Sequence, residues 1–119
     1  MIIKNLKDAV QGKASLGHKR SNKWPTVRKN HLKHFPICAV CGDTKKLEVH
    51  HIKPFHEYPE LELEPSNLIT MCESKSYGII CHLLVGHNGS YQKINPNVIA
   101  DAKAWRIKLQ APSPQKDKI

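Results

Sequence analysis

Two adjacent histidines, His50 and His51, close a strand-like run, and four cysteines fall into two pairs, Cys38 with Cys41 and Cys72 with Cys81. Thiolate and imidazole are the side chains that bind transition metals, and imidazole also exchanges a proton near neutral pH. Neighbouring side chains on a strand point to opposite faces, so one core position cannot account for both histidines. The pair is either exposed polarity at a strand end or two chemical roles set back to back. The C-x-x-C spacing of the first cysteine pair fits a zinc knuckle, in which both thiolates reach one metal. The second pair has eight residues between its members, so residues 73–80 must loop out to return Cys81. Ordinary buried thiols or a redox pair are the competing readings. Two pairs with no odd cysteine, in a chain without an export signal, favour a closed four-cysteine structural zinc site. Such a site braces a small core and does no chemistry of its own.

The elements that must position these residues are short. "KWPTVRKNHLKHFP" predicts a helix, with Pro25 in its first turn and Pro36 as its stop. Trp24, Val27, His31, Leu32 and Phe35 share one broad face of it, Lys29 and Lys33 lie outside that face, and Arg28 flanks it. "ICAVCGDTKK" predicts a tight turn, "LEVHHI" and "NLITMC" two strands, and the acidic, proline-rich "KPFHEYPELELEPS" the loop between them. "CHLLV" opens a short helix that Gly86 ends. "NVIADAKAWRIKLQ" predicts a last helix, with Asn97 as N-cap and Val98, Ile99, Ala102, Trp105 and Leu109 on one face.

The 119 residues suffice for one small domain, and with 39% hydrophobic and only 6% aromatic content a metal brace would help it. The net charge of +9 favours a polyanionic partner, nucleic acid first. No run is long enough to cross a membrane, so no membrane partner is expected. "MIIKNLKDAV" lacks the apolar stretch of a secretory signal, which makes the reducing cytoplasm the expected compartment.

The order of these pieces carries further. A strand ending in "VHHI", a proline-containing loop, "NLITMC", and a helix opened by "CH" together resemble the HNH endonuclease family, whose core is the ββα-metal fold. The resemblance covers about residues 24–110, and the flanks look like small phage-type HNH proteins. It implies an α+β fold, with a ββα-metal core, flanking helices and the four-cysteine zinc site. It also implies roles. His50 takes the place of a metal ligand ahead of the central histidine, and His51 takes the place of the general base. Asn67 holds the loop or the base in position, and His82 binds the catalytic divalent cation (Mg²⁺, Mn²⁺, Ni²⁺ or Zn²⁺). His87 is a further candidate ligand. It lies five residues after His82, about 140° round an ideal α-helix, so Gly86 is expected to break the helix and bring it back. The eight-residue gap before Cys81 departs from the commoner C-x-x-C-H form of the family.

The implied division of labour is chemically reasonable. A neutral imidazole accepts a proton at physiological pH, but not while its lone pair is committed to a metal. Base and ligand must therefore be different side chains, and opposed strand faces give each its own direction. The resemblance implies DNA as substrate, cut with little sequence preference, and a role in phage genome packaging beside a terminase, hence in the host cytoplasm. Phosphate grip is expected from Lys13, Lys19, Arg20, Lys23, Arg28, Lys29 and Lys33. His18, His31, His34 and His56 sit in no motif and read as surface, packing or phosphate-contact residues. Residues 1–22 read as a basic arm, 23–110 as the nuclease domain and 111–119 as a tail. The alternative is a non-catalytic zinc module that binds DNA or a partner protein, which leaves the histidines and Asn67 unexplained.

Overall fold

The computed structural model describes residues 19–112. Of the expected arm, residues 1–18 lie outside the described residues, Lys13 and His18 among them, as do residues 113–119 of the expected tail. The chain runs α1 (Trp24–His34), β1 (Leu47–His51), 3₁₀ turns at Pro59–Leu61 and Pro65–Asn67, β2 (Leu68–Cys72), a single π turn at His82–Gly86, and α2 (Val98–Leu109). The α+β class and the strand–strand–helix order therefore stand. Each strand is one residue shorter than its hydrophobic run: Ile52 has left β1, and Asn67 closes a 3₁₀ turn before β2 begins.

The two strands pair antiparallel, with His50 opposite Ile69 and His51 opposite Leu68. Alternation then sends the two histidines to opposite faces of the sheet. One face receives α1: Trp24 packs on the His51 ring at 4.7 Å between centroids, and Thr70 donates its hydroxyl to the Phe35 carbonyl at 2.9 Å. The other receives the π turn, whose Gly86 lies against Met71 and His50. The sheet is thus a thin wall with different chemistry on either side.

α1 starts and stops as its prolines dictate, and His31 is the buried member of its inner face, stacked on Phe35 at 4.8 Å. Lys29 and Lys33 are exposed, as expected. Arg28 differs from expectation. It donates to the Leu47 carbonyl at 3.3 Å and approaches Glu48 at 3.6 Å, so it straps α1 to β1. In α2, Val98 and Ala102 are buried while Trp105 and Leu109 pack on the core, but Ile99 is 53% exposed and does not join them. Asn97 occupies the cap position without a side-chain capping bond. The neighbouring Asn95 does the anchoring. It accepts from the Asn97 amide at 2.9 Å and donates to the Val85 carbonyl and to Asp101, each at 2.8 Å, which joins α2 to the π turn.

The core is small, and four of the eleven residues in its central cluster are Cys38, Cys41, Cys72 and Cys81. Around them pack Ala39, Val40, Ile69, Met71, Val85, Val98 and Ala102. Phe55, 2% exposed, is buried beneath the loop between the strands and fixes a segment that is otherwise polar.

Candidate metal and catalytic centre

The four cysteine sulfurs lie within 4.8 Å of one another, and all four residues are buried. Cys41 and Cys72 sulfurs are 3.5 Å apart and none of the four thiols is in a disulfide. Zinc–sulfur bonds of about 2.3 Å in a tetrahedron place sulfurs roughly 3.8 Å apart, which matches this spacing. The knuckle is built by backbone. The Gly42 amide donates to the Cys38 carbonyl at 3.0 Å, and the Val40 amide points at the Cys38 sulfur at 3.4 Å. Gly42 has φ +81°, and a Cβ there would come within 2.7 Å of Pro112, so the turn has room for glycine only. Ala39 donates to the Thr70 carbonyl of β2, and Arg106 of α2 donates to the Ala39 carbonyl at 3.0 Å. The insert at 73–80 returns to the knuckle through Asp43, which accepts from Ser74 and Ser76.

Crowding governs the ionisation of these thiols. The hydrogen bond from Cys81 pulls Cys38 down to about 5, while burial above all pushes Cys41 up to about 12. Cys81 is pushed up as well, chiefly by its bond to Cys38. Four thiolates cannot coexist in this volume without a cation, which is the donor chemistry of a metal site.

Across the sheet from His51, the side chains of His50, His82 and His87 converge, with ligating nitrogens within 4.8 Å of one another. Two of the three rings are oriented by hydrogen bonds outside the cluster. His82 Nδ1 donates to Glu73 Oε2 at 2.9 Å, and the same oxygen accepts from the Tyr91 hydroxyl at 2.7 Å. The Nε2 lone pair of His82 then faces His50 Nδ1 at 3.2 Å. His87 Nδ1 donates to the Lys93 carbonyl at 2.9 Å, which leaves Nε2 buried with no hydrogen-bond partner. A buried nitrogen without a hydrogen-bond partner, facing two other imidazoles, is suited to metal coordination. Burial holds His50 well below its usual range and His87 down at about 4, so these two rings are neutral and can donate lone pairs. The donor set fits a divalent cation with open positions for water and substrate. Neither Glu73 nor Tyr91 stands out in the sequence.

His87 reaches this cluster by a route other than the expected break. The turn from His82 to Gly86 is π-wound, with roughly one more residue per turn than an α-helix, so a residue five positions on comes back to the same side. Gly86 contributes by having no side chain: a Cβ would sit 3.1 Å from Met71 Sδ, 3.2 Å from His82 Cδ2 and 3.3 Å from His50 Cε1. Gly86→Ala is therefore expected to push two rings apart by a few tenths of an ångström and to weaken divalent-cation affinity by about tenfold. Calorimetric titration with Ni²⁺ checks this, and wild-type affinity would show that the rings yield freely.

On the α1 face, His51 is 9% exposed, and its Nε2 donates to the Glu62 carbonyl at 2.9 Å, so the lone pair resides on Nδ1. Burial lowers its pKa to about 4, the Glu62 carbonyl opposing and Arg20 adding to the effect. Asn67 does not touch His51. Its Oδ1 accepts from the Lys53 amide at 2.8 Å, and its Nδ2 donates to the carbonyls of Lys53 and Leu61 at 3.1 and 3.2 Å. Asn67 thus pins both ends of the loop that carries Glu62.

Residues 38–84 match the family model described as HNH endonuclease. This segment is similar to an HNH endonuclease domain. The family is generally one of nucleases that use a divalent metal. The matched segment holds the four cysteines, His50, His51, Asn67 and His82, and it ends before His87. No curated protein and no solved structure matches the chain.

Among the expected phosphate contacts, Lys19, Lys23, Lys29 and Lys33 are exposed. Arg20 is turned inward, 3.6 Å from Glu62. His34 and His56 stand apart from both clusters, His34 bonded to the Asn30 carbonyl and His56 3.7 Å from Glu57. No helix among the described residues is long and apolar enough to cross a membrane.

Proposed function

We propose that this protein is a metal-dependent endonuclease that hydrolyses DNA phosphodiester bonds with little sequence preference. His50, His82 and His87 hold the catalytic cation, His51 is the general base, Asn67 positions the loop, and the four cysteines hold a structural zinc ion. The observation that carries the reading is the division across β1: three lone pairs converge on one side, and on the other a single imidazole has its Nε2–H fixed and its Nδ1 free to accept a proton.

A divalent cation, when bound, supplies Lewis-acid stabilisation of charge on the phosphate and on the departing oxygen. The protein does the rest. Glu73 and Tyr91 orient His82, and the Lys93 carbonyl orients His87, so the ligand set is assembled before substrate arrives. His51, neutral at physiological pH, takes the proton from the attacking water at Nδ1, and the imidazolium so formed keeps its Nε2–H on the Glu62 carbonyl. The exposed lysines of α1 grip phosphates, and no described element has the form of a base-reading helix, which supports low specificity. The likeness of the flanks to small phage-type HNH proteins supports a place in genome packaging beside a terminase, in the host cytoplasm.

The test is supercoiled plasmid incubated with purified protein and Mg²⁺, Mn²⁺, Ni²⁺ or Zn²⁺. Nicked or linear product with at least one metal, abolished by chelation, is expected. Salt-sensitive binding without cutting under every metal would instead favour a non-catalytic zinc module.

A further inference from the structure

The base is held by a residue that belongs to neither histidine cluster. Glu62 meets His51 through its backbone carbonyl, yet its side chain is the better anchored part. The residue is only 5% exposed, although it lies in an acidic loop whose other carboxylates face solvent or the loop surface. The Ser21 amide donates to both carboxylate oxygens, each at 3.1 Å. Arg20 Nη1 lies 3.6 Å from Oε2, and its guanidinium sits over the rings of Trp24, at 4.9 Å, and Phe55, at 4.8 Å. Trp24 is the same ring that packs on His51. The residues ahead of α1, the loop and the base thus form one closed circuit: Ser21 and Arg20 to Glu62, Glu62 to His51, His51 to Trp24, Trp24 back to Arg20.

We infer that Glu62 is a positioning residue for His51 and that its clamped carboxylate fixes the carbonyl which orients the imidazole. This rests on His51 being the base. The physical basis is the cost of burying a carboxylate without partners, which keeps the Ser21 and Arg20 contacts made and the backbone at Glu62 still. A fixed carbonyl holds the proton on Nε2 and aims Nδ1 in one direction. Asn67 holds the same segment from the sheet side, through Leu61, so loss of the clamp loosens the carbonyl without unfolding the loop. A base misdirected by about 1 Å loses on the order of 10²-fold in rate.

The experiment compares wild type, Glu62→Ala and Glu62→Gln in the full chain with zinc present. Glu62→Ala is expected to lower kcat for plasmid nicking by ~10²-fold, with KM and Ni²⁺ affinity within about threefold of wild type. Glu62→Gln, whose Oε1 still accepts from the Ser21 amide, should recover at least tenfold of that loss by the same positioning argument. The ring-nitrogen chemical shifts of His51 give a readout independent of activity. In wild type they should report one protonated Nε2 and one bare Nδ1. In Glu62→Ala they should move toward averaged values. A fall in melting temperature with His51 shifts unchanged would mean that Glu62 only stabilises the fold, and the inference would be overturned. Should Glu62→Ala fail to fold, the shifts in Glu62→Gln decide: wild-type values there, together with unrecovered kcat, overturn it too. Absence of cutting by wild-type protein would defeat the nuclease reading alone, because the nitrogen shifts still report whether Glu62 holds the ring.

Discussion

His51→Ala is expected to reduce plasmid cleavage by roughly 10²–10⁴-fold while leaving DNA affinity and metal content intact. The size follows from what is lost. Metal and phosphate contacts remain, so substrate still binds, but the attacking water has no acceptor for its proton. Structure should survive. The imidazole contributes one hydrogen bond, to the Glu62 carbonyl, and one ring contact, to Trp24, and removing such a pair costs about 1–3 kcal/mol. The measurement is single-turnover nicking beside fluorescence anisotropy with a labelled duplex and a thermal melt. Wild-type cleavage in His51→Ala would remove this residue as the base and turn attention to the metal-bound side of β1.

Cys81→Ser should do more than any other single change to the fold, abolishing zinc binding and leaving the domain unfolded at room temperature. Zinc held by four thiolates contributes on the order of 10 kcal/mol or more of folding free energy, comparable with the whole stability of a small domain, about 5–15 kcal/mol. Little would remain, because four of the eleven central core residues are the thiols themselves. Zinc content by mass spectrometry under native conditions and the far-ultraviolet circular dichroism spectrum check it. Retention of one zinc and of the wild-type melting temperature would mean that the zinc has other ligands.

Much of this arrangement is legible in the sequence because it depends on short periods. Side chains alternate along any strand, so His50 and His51 must face apart, and two cysteine pairs must meet if they share an ion. The paths between them are less visible. An interval of five looks wrong for His82 and His87 when an α-helix is assumed, because nothing in "HLLVG" announces a π turn. Backbone carbonyls carry no signature either, and the Glu62 carbonyl that orients His51 sits in a loop that reads as generically acidic. The same holds for Glu73 and Tyr91, which meet His82 only through the fold. Asn97 reads as a cap and Asn95 does the work, since two asparagines flanking one proline are indistinguishable by residue type. Arg20 and Arg28 look like phosphate grips, and only the packing reveals that both are turned toward carboxylates of the protein itself.

Cys81 and His82 are joined by a single peptide bond, yet they belong to different clusters. A sulfur that has not found its ion leaves the neighbouring imidazole without a fixed address. Whatever anchors Cys81 among the other thiols therefore also sets where His82 stands in the histidine cluster.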